Sequence, residues 1–399
     1  MICQNNILQT GEAVTYFKPN FFRGDNMAKS VIVACDTGND TIKVKVNDKI
    51  YYIPSIMKIN PRPRLIFGQG DEGHPIDYLD VTVENDNVSG NYHIGNLAMF
   101  GVNQESLGGL KSNNKLLMVC RMTAIAYALA MEYPLETDFD LYLGVGLPVR
   151  EFFWQNEKGE YDFSKVEKYK HSIAGIHKVK FNTSLMNYKT INIAIAPDNL
   201  SVTPEGYSAL TSILMHENID PEFVRYSRKN AISFCLDIGS ISCDVSAMIN
   251  GKYFAPGMFG FDIGMSTAID ELCAGLRNRT GIKDITRYEL NTCLFDRDLM
   301  GIYKISKYNF NLNREKLPYY TALVDTITHR FKEKLRENGV DIRRIDVLFL
   351  VGGGSTEVGD MIIDELKEDI PEFVNFQPEE AIIKNLLGYE MAARKLVTE

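Results

Sequence analysis

The chain has 399 residues, a length that suits two or three domains. Hydrophobic residues make up 45% and charged residues 24%, which excludes a disordered, collagen-like or coiled-coil chain. Lys and Arg number 43 against 52 Asp and Glu, a net charge of −9. Such a chain is a poor direct binder of nucleic-acid phosphates, so a DNA-linked role is expected to run through a basic partner.

Residues 1–26 carry no basic start followed by an apolar block, so they do not read as a secretory signal. Met27-Ala-Lys-Ser-Val-Ile-Val reads as a natural start before a first strand, and residues 1–30 are set apart as an N-terminal extension. Residues 31–35 form a short apolar strand, 41–46 alternate as a half-buried strand, and 51–53 end at Pro54. Residues 81–83 and 92–94 flank the turn-rich 85–90 as a hairpin. A helix is expected over 115–130, and strands over 141–147, 177–181 and 191–196. The 115–130 helix is too short to span a membrane and carries Arg121, so no membrane role is expected. Thr203 and Pro204 read as the N-cap and first turn of a helix over 204–217.

The second half repeats the theme. Strands are expected over 232–238, 243–249 and 252–255, the last two joined by Asn250-Gly251. Amphipathic helices cover 266–276 and 321–335, and a buried strand over 345–351 runs into Gly352-Gly353-Gly354. The seven cysteines, Cys3, Cys35, Cys120, Cys235, Cys243, Cys273 and Cys293, form no CxxC pair. They read as buried thiols of a reducing cytoplasm, and the six histidines show no HExxH pattern.

One short internal echo carries chemistry. Val-Ile-Val-Ala-Cys-Asp36-Thr-Gly38-Asn39, running on to Lys43, is matched half a chain later by Ser-Phe-Cys-Leu-Asp237-Ile-Gly239-Ser240-Ile-Ser242-Cys-Asp244. Each is an apolar strand, an Asp-x-Gly, a turn of small polar residues and a second strand. Glycine in such a hairpin lets backbone approach a phosphate, and an Asp at a strand end can hold magnesium through its waters. A single Asp-x-Gly is a common turn; two in matching contexts point to a polyphosphate clamped from both sides. The three glycines after the last strand, with Ser355, leave a flat wall suited to a nucleoside, although they follow neither the P-loop nor the GxGxxG order.

Together these elements resemble the superfamily that joins actin, heat-shock chaperones and sugar kinases, and within it the ParM/StbA group of plasmid-segregating actin-like proteins. Tyr92-His-Ile-Gly95-Asn-Leu-Ala98, Leu143-Gly-Val-Gly146-Leu147-Pro148, Pro204-Glu205 and Gly264-Met-Ser266 with Asp270 resemble segments of that group, in its order. The resemblance covers residues 31 to about 396, with a last helix at 378–396. It implies an actin-like fold: two duplicated RNase H-like α/β domains around a nucleotide cleft. Domain I would comprise 31–217 plus 376–399, and domain II 218–375.

The resemblance also implies roles. Asp36 and Asp237 would sit by Mg2+ and the γ-phosphate of ATP or GTP, with Asp237 and Glu205 catalytic. Gly38, Asn39, Lys43, Gly239, Ser240 and Ser242 would cradle phosphates. Gly352, Gly353, Gly354 and Ser355 would line base and ribose, with Glu271 a ribose contact. Read from the residues alone, Glu205 also fits a carboxylate placed by the helix dipole, and Lys43 a solvent-facing strand residue. Ser240 and Ile241 stand where the group has a second glycine and threonine. The function implied is a nucleotide hydrolase that forms head-to-tail filaments and segregates plasmids through a DNA-binding adaptor, without touching DNA itself. The alternatives are a non-polymerising ATPase or a small-molecule kinase of the same superfamily. A chaperone module would need a substrate domain after the last helix, and a cell-shape homologue a basic amphipathic end.

Overall fold

The computed structural model describes residues 28–61, 73–99, 105–106, 110–154, 160–216, 219–228, 230–295 and 298–398. Cys3 and nearly all of the 1–30 extension lie outside the described residues.

Strand β1 (Lys29–Thr37) pairs antiparallel with β2 (Thr41–Val46), which pairs with β3 (Lys49–Pro54). On the other side β1 lies parallel to β4 (Asp138–Leu147). The first half of β4 pairs with Thr190–Ile195 and its second half with β5 (Leu200–Pro204). Alternation sets the layers. Val33 and Cys35 face a core shared with helix α1 (Lys115–Glu132), whereas Ala34 meets Leu386 and Tyr389. A strand apolar on both faces is what a parallel sheet covered on both sides needs.

The second sheet is built alike. β6 (Ile232–Ile238) pairs antiparallel with β7 (Cys243–Ile249) and parallel with β8 (Val347–Val351). Phe234, Leu236 and Ile238 pack with α3 (Met265–Thr280), α4 (Leu317–Glu337) and α5 (Ser355–Leu366). Cys235 faces the opposite way, into a cluster with Ala209, Leu210 and Ile213. The turn between β7 and the short strand Lys252–Tyr253 uses Asn250 at φ 56° and Gly251 at φ 70°, the left-handed pair an Asn-Gly hairpin favours. That third strand stops at Tyr253, two residues short of the expected 255, because Ala255–Gly257 turn into a 3-10 helix around Pro256.

The helix expected over 204–217 begins later. Pro204 ends β5 opposite Leu147, Glu205 donates its N–H to the Leu147 carbonyl at 3.0 Å, and the helix, α2, spans Tyr207–Leu214. Gly206, at φ 71°, makes the corner, so Thr203 is a strand residue and no N-cap. Proline fits the strand end because sheet pairing passes to the next residue.

The Tyr207–Leu214 helix packs beneath the second sheet, and the last helix, α6 (Lys384–Thr398), packs on the first. They touch through Gly388, where an added Cβ would stand 2.0 Å from the Ser208 carbonyl oxygen. Gly388→Ala is therefore expected to cost about 1–3 kcal/mol by overpacking, seen as a lower urea midpoint. Gly353→Ala, whose Cβ would meet nothing within 4 Å, is the neutral comparison.

Candidate functional site

The tips of the two hairpins face each other across one cleft. In each hairpin the Asp that ends the first strand is paired in register with the residue seven positions on: Asp36 with Lys43, and Asp237 with Asp244. Gly38, Asn39, Gly239, Ser240 and Ser242 border the same cleft, as do Gly352 and Gly353. Gly38 makes its corner tight: an added Cβ would lie 2.6 Å from the Thr41 carbonyl oxygen. Gly352 takes φ 84° and has no room for a side chain, since a Cβ would stand 2.2 Å from Asp237 Oδ1.

Four carboxyl groups converge here, those of Asp36, Glu205, Asp237 and Asp244, all buried. Only two ammonium groups among the cleft-lining residues face them. Lys43 Nζ lies 2.8 Å from Asp36 Oδ2, and Lys111 Nζ lies 2.5 Å from Glu205 Oε1. Burial pushes the Asp36 carboxyl up, but the Lys43 and Lys111 charges outweigh it and hold it below its ordinary value. Burial dominates at Asp237, which with the Asp244 and Asp36 charges beside it is pushed up to about 7. Burial likewise pushes Glu205 up to about 8, against the pull of Lys111 and with Asp244 and Asp36 adding to the rise. Lys111 itself is held charged, its burial outweighed by Glu205 and Asp36. Both groups of this pair are thus raised.

Lys111 and Asp244 are site residues that the sequence reading did not single out. Lys111 is placed by Glu151, whose two carboxylate oxygens each accept a backbone N–H, from Lys111 and Ser112, at 2.9 Å. No motif surrounds Lys111. Asp244 had a signal: it repeats the spacing of Lys43 from Asp36. Asp244 Oδ1 accepts the Val149 N–H at 2.7 Å, and Ser246 donates to the Glu205 carbonyl at 2.9 Å, so β7 is stitched to the first sheet. Asn385, on α6, donates to Asp237 Oδ2 at 2.6 Å and accepts the Gly206 N–H at 2.9 Å.

Gly354 borders an adjoining compartment beyond Gly353. Ser355 lies behind that wall, fully buried, its hydroxyl donating to the Gly352 carbonyl at 2.9 Å. Glu271 lies on the exposed face of α3, whose cleft-side residues are Met265, Ser266 and Ile269, so the structure gives Glu271 no place in the wall. The Ser240 hydroxyl is buried between both compartments without a hydrogen-bond partner. A buried polar atom left open in this way fits a ligand that brings its own acceptor or donor. Among the described residues no three His, Cys, Asp or Glu side chains form a direct metal-ligand set. The donor chemistry suits magnesium held through water and phosphate oxygens.

Residues 34–207 match the family described as actin like proteins, N-terminal domain. The match runs from the first hairpin to just past Glu205. This is an actin-like fold. Solved structures share the fold over most of the chain. A ParM from a 15-stranded filament of Clostridium botulinum superposes with a TM-score of 0.71 at 17% identity, covering 92% of this chain and 100% of that one. An archaeal actin homologue in complex with ADP gives 0.66 at 19%, over 92% and 99%. Bacillus thuringiensis ParM with AMPPNP gives 0.63 at 17%, over 92% and 99%. No curated protein sequence matches the chain. Among the described residues no helix is long and apolar enough to cross a membrane.

The raised carboxyl groups make a pH prediction. The unfolded chain releases these protons near 3.8 at Asp237 and 4.5 at Glu205, the folded chain only near 7 and 8. Their contribution to stability is complete below the unfolded values and is lost as pH climbs through the folded ones. The thermal midpoint of the ligand-free actin-like chain should therefore fall from about pH 4.5 to about pH 8. Asp237→Asn, which has no such proton to lose, should flatten that fall.

Proposed function

We propose that this actin-like chain binds a magnesium nucleoside triphosphate in the cleft, hydrolyses it, and assembles head to tail into filaments that segregate plasmid DNA in the cytoplasm. The observation that carries this reading is the pair of Asp-x-Gly hairpins facing one another, with Glu205 at the corner between the two sheets. Lys43 and the open Ser240 hydroxyl suit contacts to phosphate oxygens. Asp36, Asp237 and Asp244 would hold magnesium through water, and the ion when bound neutralises the charge gathered on the phosphates.

Glu205 is the base in this reading. In its ionised form it accepts a proton from a water molecule at a carboxylate oxygen. The water oxygen then bonds to the γ-phosphorus as the bond to the leaving diphosphate oxygen breaks. A carboxyl pushed up to about 8 is matched to taking that proton near neutral pH. Lys111 orients it, and Asn385 keeps Asp237 and the Gly206 corner in register.

Filament assembly and plasmid segregation are supported by likeness to ParM proteins, one of them solved as a filament. The net charge of −9 favours a basic DNA-binding adaptor over direct contact with DNA. Right-angle light scattering with magnesium and ATP or GTP, with phosphate release followed in parallel, tests the reading. Scattering should rise on nucleotide addition and decay as phosphate appears. Glu205→Gln should slow release about 10²–10⁴-fold and leave the rise without its decay. Hydrolysis with flat scattering at all protein concentrations would count for a non-polymerising ATPase or kinase.

A further inference from the structure

The compartment beyond Gly353 has a polar end that the hairpins do not explain. Asn291 Oδ1 is buried there without a hydrogen-bond partner, and the buried Tyr320 hydroxyl, beside the Glu357 carboxylate, lines the same cavity. Tyr320 is 1% exposed. The Glu357 carboxylate lines the cavity beside them. Lys316 Nζ donates to Glu357 Oε2 at 2.6 Å and stands over the Tyr320 ring, 4.9 Å from its centroid. Burial, and then the Glu357 charge, hold the Tyr320 hydroxyl protonated well above its ordinary range. Gly353 and Gly354, with Met265 and Ile269 on α3, give the cavity flat and apolar walls, and Asp40, Ser240, Ser266 and Thr356 complete the lining.

We propose that this compartment reads the base of the nucleotide and prefers guanine over adenine, with Glu357 and Asn291 accepting its two N–H groups.

The proposal rests on the nucleotide reading above and adds the base to it. Guanine presents one carbonyl acceptor beside two adjacent N–H donors. The cavity end offers the complement: a carboxylate and an amide oxygen as acceptors, with a phenol as donor. Adenine brings one amine donor and a ring-nitrogen acceptor, with a C–H where guanine has its exocyclic amine. Where that C–H faces it, the buried Asn291 oxygen is left unpaired, the costly outcome for a buried polar group, whereas Glu357 keeps its Lys316 bond with either base. The apolar and glycine walls accept either purine face, so discrimination falls to Asn291 and Glu357.

Isothermal titration of the full chain with GDP, ADP and IDP in the presence of magnesium tests this. IDP is GDP without the exocyclic amine. GDP should bind roughly tenfold or more tighter than ADP, and IDP more weakly than GDP. Glu357→Gln and Asn291→Ala should each lower the GDP-to-ADP affinity ratio about tenfold. A merely structural role would weaken both nucleotides alike and leave the ratio unmoved. Equal or tighter binding of ADP by the wild-type chain, equal binding of GDP and IDP, or an unchanged ratio in both variants would overturn the proposal. Tight ADP binding without preference would leave the nucleotide reading standing, whereas no binding of any of the three would overturn both. The comparison of GDP with IDP uses the unaltered chain, so it stands even if a variant fails to fold.

Discussion

One amide side chain holds the cleft together. Asn385 belongs to α6, which packs on the first sheet, yet its Nδ2 donates to Asp237 of the second sheet and its Oδ1 accepts the Gly206 N–H. Both bonds are 2.9 Å or shorter, and the residue is buried. A buried amide must use both ends or leave a group unsatisfied, so the three elements are fixed together. Gly388, one turn along the same helix, lets α6 come close enough to the Tyr207–Leu214 helix for that reach. The position of Glu205 follows, since it precedes Gly206 at the corner.

The cleft holds more carboxyl groups than nearby lysines can offset. In a buried site this is resolved by protons, which is why Asp237 and Glu205 are pushed towards neutrality. The arrangement is a poor choice for stability alone, because apolar residues of similar volume pack better in such a place. It makes sense where a ligand is to supply the missing cations and take up the open Ser240 hydroxyl. The same tension explains Lys111. Its ammonium is bound to Glu205, and its backbone is anchored by Glu151, so it is a rigid charge with no freedom to leave the cleft.

Much of this was legible in the chain itself. Strand alternation in Thr41–Val46 and the apolar runs before Asp36 and Asp237 placed both hairpins, because period-two burial is a local property. The glycines of both hairpin turns, with Gly352 and Gly353, border the cleft. The start of the Tyr207–Leu214 helix was misplaced because Pro204 fits a first helical turn and a strand end equally well. Only the pairing of β5 with β4, a contact far apart in sequence, separates the two.

The residues that went unread share one trait: their role is set by long-range contacts. Lys111 meets Glu205, Glu151 meets the Lys111 turn, and Asn385 meets Asp237 across more than a hundred residues of chain in the last case. None sits in a motif, since nothing about a lone Lys or Asn at those positions differs from a solvated one. Asp244 is the instructive exception. The register that sets Lys43 opposite Asp36 sets Asp244 opposite Asp237, so the echo that revealed two hairpins also carried the partner position. That the first hairpin has a lysine there and the second an aspartate makes the duplicated parts electrostatically unlike. In the proposed reading Lys43 of the first hairpin meets anionic phosphate oxygens, and the aspartates of both hairpins meet the cation that accompanies them. A symmetric scaffold thus presents an asymmetric field, which is what an asymmetric metal–polyphosphate requires.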